Sequence, residues 1–551
     1  MSEHIRDYLV IGAGPAGLQL GRQLQAESRD YLILEAGAAP GTFFTVFPRH
    51  RTLISINKPH TGTTDPELNM RMDWNSVLSP DPELLFTKYT GRYFPDAADL
   101  PRYLADYAKA FELRIRFDSP VARIERDAES GGFRATTADG VEYRGRRLVM
   151  ATGVSRLYVP PIPGIELAER YDTMPTDPEG FVDQRVLIIG KGNSALETAD
   201  NLIETAAVIH LAGPSSLRLA WQTHYVGHVR AVNNNFLDTY QLKSQNAILD
   251  GAVRSIEQVD GRYRVLFAFS RADEVVKELF YDRILACTGF RFDASVFAED
   301  CKPELAINDR FPKQTSAYES VNVPDLYFAG TIMQQRDFKK STTGFIHGFR
   351  YTVRALNHIL DQRDHAVPWP YQEIPGTPEG LAEAVLNRVN RSSALWQQFS
   401  VMADVLTLPS AEGAAARYFE EVPVGYLLDG GLTADGLPAG PELGAAEPGA
   451  DLIAVTLEYG PDHDKIDPFD ITVRRVAQDR AEEALDAAYL HPVIRIYRDG
   501  NAIAVHHVAE NLENEWNKPQ AHVDPLVAFF GRVLAEAAER RSADAGAGAA
   551  R

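Results

Sequence analysis

Cysteine is nearly absent. Among 551 residues only Cys287 and Cys301 occur, and they form no C-x-x-C pair. This excludes a disulfide framework, a cysteine-rich zinc site and a redox-active dithiol. Cys287 closes the apolar run Ile284-Leu285-Ala286-Cys287 and reads as a buried small side chain. Long hydrophobic runs are missing too: none reaches about 18 residues, so no membrane span is expected. Positive charge is in deficit, with 56 Lys and Arg against 76 Asp and Glu and a net charge of −20. That balance argues against a nucleic-acid partner and favours solubility. The polar start, residues 1–6, enters a strand at once and leaves no room for a signal peptide, so a cytoplasmic location is expected. No ligand cluster for a metal is expected either: His506 and His507 are adjacent on a strand and point to opposite faces.

What is present begins with Asp7-Tyr8-Leu9-Val10-Ile11-Gly12-Ala13-Gly14-Pro15-Ala16-Gly17. It reads as a buried strand, a glycine turn and a helix. Gly12 allows the turn, Gly14 lets backbone approach a pyrophosphate, and Gly17 lets helix pack on strand. Pro15 and Ala16 open the helix, whose N-terminus offers N–H groups to an anion. A second strand, residues 31–34, ends at Glu35, placed 21 residues beyond Gly14 to take a pair of ribose hydroxyls. Thr42, in the following loop, and Arg51 are further candidates for the phosphates.

Residues 43–95 are aromatic and irregular, a length of loop that is often functional. A helix is expected over 100–111 and short strands over 121–126, 133–137 and 141–144. Leu148-Val149-Met150 returns to the sheet and ends in Ala151-Thr152-Gly153. The pattern then restarts: Val186-Leu187-Ile188-Ile189 enters Gly190-Lys191-Gly192-Asn193-Ser194-Ala195. Its second strand, 208–211, ends without an acid near Gly213. A carboxylate there would repel a 2′-phosphate, so its absence points to NADPH, with Ser215, Ser216 and Arg218 near enough to bind that phosphate. Residues 221–243 are again aromatic and Asn-rich. Thr288-Gly289 echoes Thr152-Gly153. Leu326-Tyr327-Phe328-Ala329-Gly330 is a strand ending in glycine, and a helix capped by Ser341-Thr342-Thr343 is expected from 344 to 360. Its N-terminus, with Phe345, would face the flavin and favour an anionic reduced ring.

The fold class is therefore α/β: two Rossmann-like dinucleotide-binding domains, an FAD domain with an inserted NADPH domain, followed by a C-terminal α+β region. The expected divisions are 1–160 and 296–370 for the FAD domain, 161–295 for the NAD(P)H domain and 371–551 for a C-terminal region with no assigned role. In that last part the sequence predicts a helix over 381–406, a loop or linker over 430–448, a strand over 452–457 and a helix over 480–488. A hairpin turning at Asp499-Gly500 and a helix over 525–541 complete it.

Longer stretches carry a more specific signal. They include Phe47-Pro48-Arg49-His50-Arg51, Leu53-Ile54-Ser55-Ile56-Asn57-Lys58, Asp73-Trp74-Asn75-Ser76, Thr223-His224-Tyr225-Val226-Gly227 and Gly344-Phe345-Ile346-His347-Gly348-Phe349-Arg350. On these the chain resembles the FAD-dependent oxidoreductase domain-containing protein 2 family, in the flavin-containing monooxygenase-like branch of the pyridine nucleotide–disulfide oxidoreductases. The resemblance runs over about 6–365 and implies FAD on the first turn and NADPH on the second. It implies a monooxygenase in which a C4a-hydroperoxyflavin passes oxygen from O₂ to a small-molecule nucleophile such as an amine. Asn57 matches an Asn that supports the oxygenated flavin in related monooxygenases, and its amide would donate to the peroxide. Lys58, Asn75 and His347 are the other catalytic candidates, His347 as a ring partner or proton donor.

Two departures shape the expectation. The F-x-G-x-x-x-H fingerprint of monooxygenases is missing, which leaves open a flavin reductase or oxidase that transfers no oxygen. An FAD-retaining interaction scaffold is a third reading, with the C-terminal region as its partner surface. The secretory leader and retention ending of the vertebrate members are also missing, from which a bacterial, cytoplasmic branch is expected. A homodimer is the default assembly.

Overall fold

The computed structural model describes residues 4–243, 245–273, 275–409, 411, 413–438, 451–477, 480–498 and 500–549. The chain folds as two compact units, each assembled from three segments. Met1–Leu18, Asp30–Lys58 and Ser79–Lys313 form the first; Gln19–Arg29, Pro59–Leu78 and Gln314–Arg551 form the second. Residues 314–370, expected to complete the FAD domain, are grouped with the C-terminal region in the second unit.

In the first unit, β1 (Ile5–Ile11) leads into the start of helix α1 (Pro15–Ala26), whose residues from Gln19 on are grouped with the second unit, and β2 (Tyr31–Leu34) follows. Tyr8, Leu9 and Val10 are fully buried, which is why this strand reads as a continuous apolar run with no alternation. Strands β3 (Ile115–Arg116), β4 (Val121–Arg126), β5 (Phe133–Thr137) and β6 (Glu142–Met150) complete the path β3-β2-β1-β6-β5-β4. β1 pairs parallel with β2 and β6, while β4, β5 and β6 form an antiparallel meander. The predicted strands at 141–144 and 148–150 are one strand, because the intervening Gly145 stays in register with Arg6.

The second sheet repeats the plan. It is built from β7 (Glu169–Arg170), β8 (Arg185–Ile189), α2 (Asn193–Leu202), β9 (Val208–Gly213), β10 (Ala247–Val259), β11 (Arg262–Phe269), β12 (Val276–Tyr281) and β13 (Arg283–Ala286). Its order is β12-β11-β10-β9-β8-β13-β7. β10 changes role along its length: residues 247–250 pair parallel with β9 and residues 251–259 antiparallel with β11. Two apolar cores cover this sheet, one including Leu196, Ala199 and Cys287, the other Leu187, Val265 and Phe267.

In the second unit, helix α3 (Ile346–His365) is buried along most of its length. It begins two residues later than predicted. The hydroxyls of Thr342 and Thr343 do not cap it: Thr342 donates to the Gln397 carbonyl and Thr343 pairs with the Gln398 side chain. After it come β14 (Tyr371–Pro375), α4 (Pro378–Arg391), β15 (Met402–Thr407), β16 (Ala415–Pro423), β17 (Leu452–Glu458), β18 (His491–Arg498), β19 (Asn501–His507) and α5 (Asp524–Ala549). The six strands order as β14-β16-β15-β17-β18-β19, all antiparallel. Leu381, Val385, Val389, Ile453, Val455, Trp516 and Phe530 belong to its core.

The single helix expected over 381–406 is wrong. Ser392 leaves helical geometry and caps a short helix, Ser393–Gln397, with its hydroxyl accepting the Leu395 N–H. β15 follows, buried at every residue. A strand buried on both faces shows no period of two, and so it passes for helix in the sequence. The helix expected over 480–488 is a 3₁₀ turn, Ala481–Asp486, and the last helix is longer than predicted. Asp499 and residues 439–448 of the predicted linker lie outside the described residues. Among the described residues no helix is long and apolar enough to cross a membrane.

Candidate functional site

The first glycine turn is shaped as its sequence requires. Gly12 sits at φ +106°, and a Cβ there would lie 2.9 Å from the Ala151 carbonyl oxygen. A Cβ on Gly17 would lie 2.0 Å from the Gly12 oxygen, so helix and turn touch backbone to backbone. Gly14 is different: a Cβ on it would meet nothing within 4 Å. Open space stands over the middle glycine, where a pyrophosphate needs it. Glu35 is buried, and its carboxylate accepts the Ala13 N–H at 2.7 Å and the Gly37 N–H at 3.0 Å. It braces the turn from below. With about four lone-pair directions on a carboxylate, acceptor capacity is left for a ribose.

The neighbouring candidates are tied to the loop itself. Thr42 donates to the Ala39 carbonyl. Arg51 has φ +63° and donates to the carbonyls of Phe44 and Pro48. Its guanidinium staples the 44–51 loop, a structural use that the sequence does not distinguish from phosphate binding. Thr152 and Gly153 follow β6 as expected, with Gly153 at φ +62°.

The second turn copies the first. Gly190 sits at φ +140° with its missing Cβ 2.2 Å from the Cys287 oxygen, and again nothing lies within 4 Å of a Cβ on Gly192. Ala195 and Leu196 donate back to Gly192 to start α2. The Asn193 side chain, expected to touch the dinucleotide, is occupied elsewhere. Its amide donates to the carbonyls of Gly227 and His228, and its oxygen accepts from the Arg230 N–H and the Asn233 amide. Asn193 therefore fastens the 221–243 segment to the turn, leaving its backbone for a ligand. Ser215 and Arg218 are exposed on the loop after β9.

A polar network that the sequence does not announce lies behind α2. Tyr171 donates to Glu197, and burial, with repulsion from Asp200, raises the Glu197 carboxyl to about 7. Thr198 donates to the Ser194 carbonyl, so the His50 Nε2–H donates to Thr198 at 3.0 Å. Burial and the neighbouring Arg49 lower His50 to about 4, keeping it neutral. Burial pushes the Cys287 thiol up to about 12, consistent with an inert core cysteine.

Asn57 is fully buried in the first unit. Both of its amide hydrogens are committed, to the Thr90 carbonyl at 2.8 Å and the Arg92 carbonyl at 3.1 Å. The expected donor to a flavin peroxide is thus corrected: the group left over is the carbonyl oxygen, an acceptor. Lys58 is exposed. Arg230 donates to the Ile54 carbonyl at 2.9 Å, joining the 221–243 segment to the strand of residues that holds Asn57.

The remaining candidates belong to the second unit. Gly330 is buried at φ +85° and opens a 3₁₀ turn, Gly330–Gln335. The ring of His347 is stacked on Trp74 at 4.1 Å and on Phe345 at 5.8 Å, and all but 1% of the residue is buried. Asn75, next to Trp74 in sequence, is buried, its N–H held by the Asp73 carboxylate at 3.0 Å. Phe345 is the N-cap of α3 and supplies no side-chain cap. The residue that organises this cluster is Arg350. It is fully buried and donates to the carbonyls of Asp73 at 2.8 Å, Ser76 at 3.0 Å and Met70 at 2.7 Å. Arg71 does the same for Ser392 and Val389, with burial lowering it to about 10. The signal that could have found them is an arginine within an otherwise apolar or aromatic stretch.

Comparison with known proteins adds four findings. A family model described as pyridine nucleotide-disulphide oxidoreductase matches residues 9–330. A mouse protein, FAD-dependent oxidoreductase domain-containing protein 2, is 37% identical over 96% of this chain and 84% of its own length. The zebrafish protein of the same description is 37% identical over 96% of this chain and 83% of its own. A probable indole-3-pyruvate monooxygenase, YUCCA1 of Arabidopsis thaliana, is 31% identical over 37% of this chain and 46% of its own. The two relatives named above that span the chain are animal proteins, so the expectation of a bacterial branch has no support.

Proposed function

The chain belongs to the FAD-dependent oxidoreductase domain-containing protein 2 family, within the pyridine nucleotide-disulphide oxidoreductases, and from that premise we propose that it is an NADPH-using flavin monooxygenase acting on a small-molecule nucleophile. The observation that carries the reading is the pair of matching glycine turns in one unit, each open over its middle glycine. The first, with Glu35, would hold FAD; the second, with no acid at the end of β9, would hold NADPH. FAD supplies hydride acceptance and O₂ chemistry; the protein supplies position and electrostatics. The chain's own contribution is then to anchor both pyrophosphates on helix N-termini, hold the ribose on Glu35, and exclude water with the 44–58 and 221–243 segments. Similarity to a plant monooxygenase over 37% of this chain supports oxygen transfer.

One observation favours a second reading. Asn57 has no amide hydrogen left to stabilise bound oxygen, which suits a flavin reductase or oxidase. Purified protein is expected to be yellow and to bleach on NADPH under argon. Mixing the reduced protein with O₂ in a stopped-flow cell separates the two readings. A peroxide-type absorbing species that outlasts mixing supports oxygenation, and immediate return of oxidised flavin with stoichiometric H₂O₂ supports the oxidase. A colourless preparation that takes up no flavin sinks both.

A further inference from the structure

We propose that Lys191 is the specificity-determining cation of the second turn, the group that receives the 2′-phosphate of NADPH. The proposal rests on the reading of that turn as a nicotinamide dinucleotide site. In such a turn the adenosine ribose lies between the glycine loop and the end of the second strand, and the group at that strand end chooses between a free 2′-hydroxyl and a 2′-phosphate. Here the strand end is Gly213, which has no side chain to make the choice.

The structure fills that gap with Lys191. Its stem lies over Gly213: a Cβ there would stand 3.6–3.7 Å from Lys191 Cγ, Cδ and Cε. The ammonium is carried to the strand end, where it donates to Asp250 at 2.5 Å and to the Ser215 carbonyl at 3.1 Å. Asp250 is the register partner of Gly213 on β10 and is the acid that a search along β9 alone does not find. It is masked twice, by Lys191 and by Arg271 at 3.1 Å. Two cations against one carboxylate leave a net positive charge beside the ribose position. Of the three donors on an ammonium, two are in use, which leaves one for a phosphate oxygen. Ser215, chosen from sequence for its hydroxyl, contributes its backbone carbonyl by holding Lys191. Arg218, the other sequence candidate, is exposed and in this reading is secondary.

The test is calorimetric titration of the full-length protein with 2′,5′-ADP and with 5′-AMP, which differ only by the 2′-phosphate. Wild type is expected to prefer 2′,5′-ADP. Lys191→Met is expected to weaken 2′,5′-ADP by about ten- to a hundredfold, the loss of one charge-assisted contact, and 5′-AMP by less than about threefold. Asp250 keeps Arg271 in this variant, so the strand end is not left with a lone buried acid. Lys191→Arg is expected to retain the preference for 2′,5′-ADP. Equal weakening of both nucleotides by Lys191→Met, or no weakening of 2′,5′-ADP, overturns the assignment. If wild type binds neither nucleotide, the reading of the turn itself fails.

Discussion

Glu35 accepts two backbone N–H groups, so changing one of its oxygens to an amide sets a donor against a donor. Glu35→Gln is expected to loosen the first turn by about 1–3 kcal/mol and to lower flavin bound per protein, read from absorbance of the purified variant. A fully flavinated variant would show that the brace is dispensable. Glu197 gives a pH prediction. Its carboxyl is raised to about 7 from an ordinary 4.5, so the folded chain binds more protons than the unfolded chain between those values. Its contribution is best below about 4.5 and is lost as pH rises through 7. Glu197→Gln is therefore expected to raise the melting temperature at pH 8 and to change it little near pH 4.5. Equal effects at both pH values would contradict the burial argument. His50 runs the other way: lowered to about 4 from 6.5, it costs stability as pH falls through that window.

At the scale of elements, α3 and the 59–78 segment depend on one side chain. Arg350 satisfies three carbonyls, two of them buried, on the turn that carries Trp74 and Asn75. Arg350→Met is expected to destabilise the fold by about 2–5 kcal/mol, seen as a lower thermal midpoint. Arg350→Lys should recover only part, because an ammonium cannot fork across three fixed acceptors. An unchanged midpoint for Arg350→Met would refute this role. The same elements show what the sequence could say. Both glycine turns were legible because each needs glycine at φ above +100° against backbone, a local constraint written in local residues. β15 was not, since a strand buried on both faces carries no alternation. Asn57, Asn193 and Arg51 are the right residue types for a site, yet their side chains donate to carbonyls up to 35 residues away, and no spacing rule reports those. Lys191 stood in plain view inside the second turn, but its partner Asp250 lies on another strand.

At the scale of the whole molecule, the chain alternates along its sequence between the segments of two units, and this decides what can be cut away. The second unit takes its first pieces from residues 19–29 and 59–78 and its bulk from 314 onward. A fragment ending at 370, which the predicted domain limits would recommend, strands Arg71 without Ser392 and Val389 and Thr342 without Gln397. That fragment is expected to aggregate or elute as an expanded species in size-exclusion chromatography, whereas the full chain elutes compactly. A monodisperse, compact fragment would make the C-terminal region a detachable appendage.

Arg71 and the carbonyl that receives it are 321 residues apart. A ribosome adding about 5–20 residues per second needs roughly 15–65 s to travel that distance. Throughout that interval a guanidinium destined for the interior is held by water, because its protein acceptor has not yet been made. The Trp74 turn therefore reaches its packed form only after residue 392 has been made, late in synthesis.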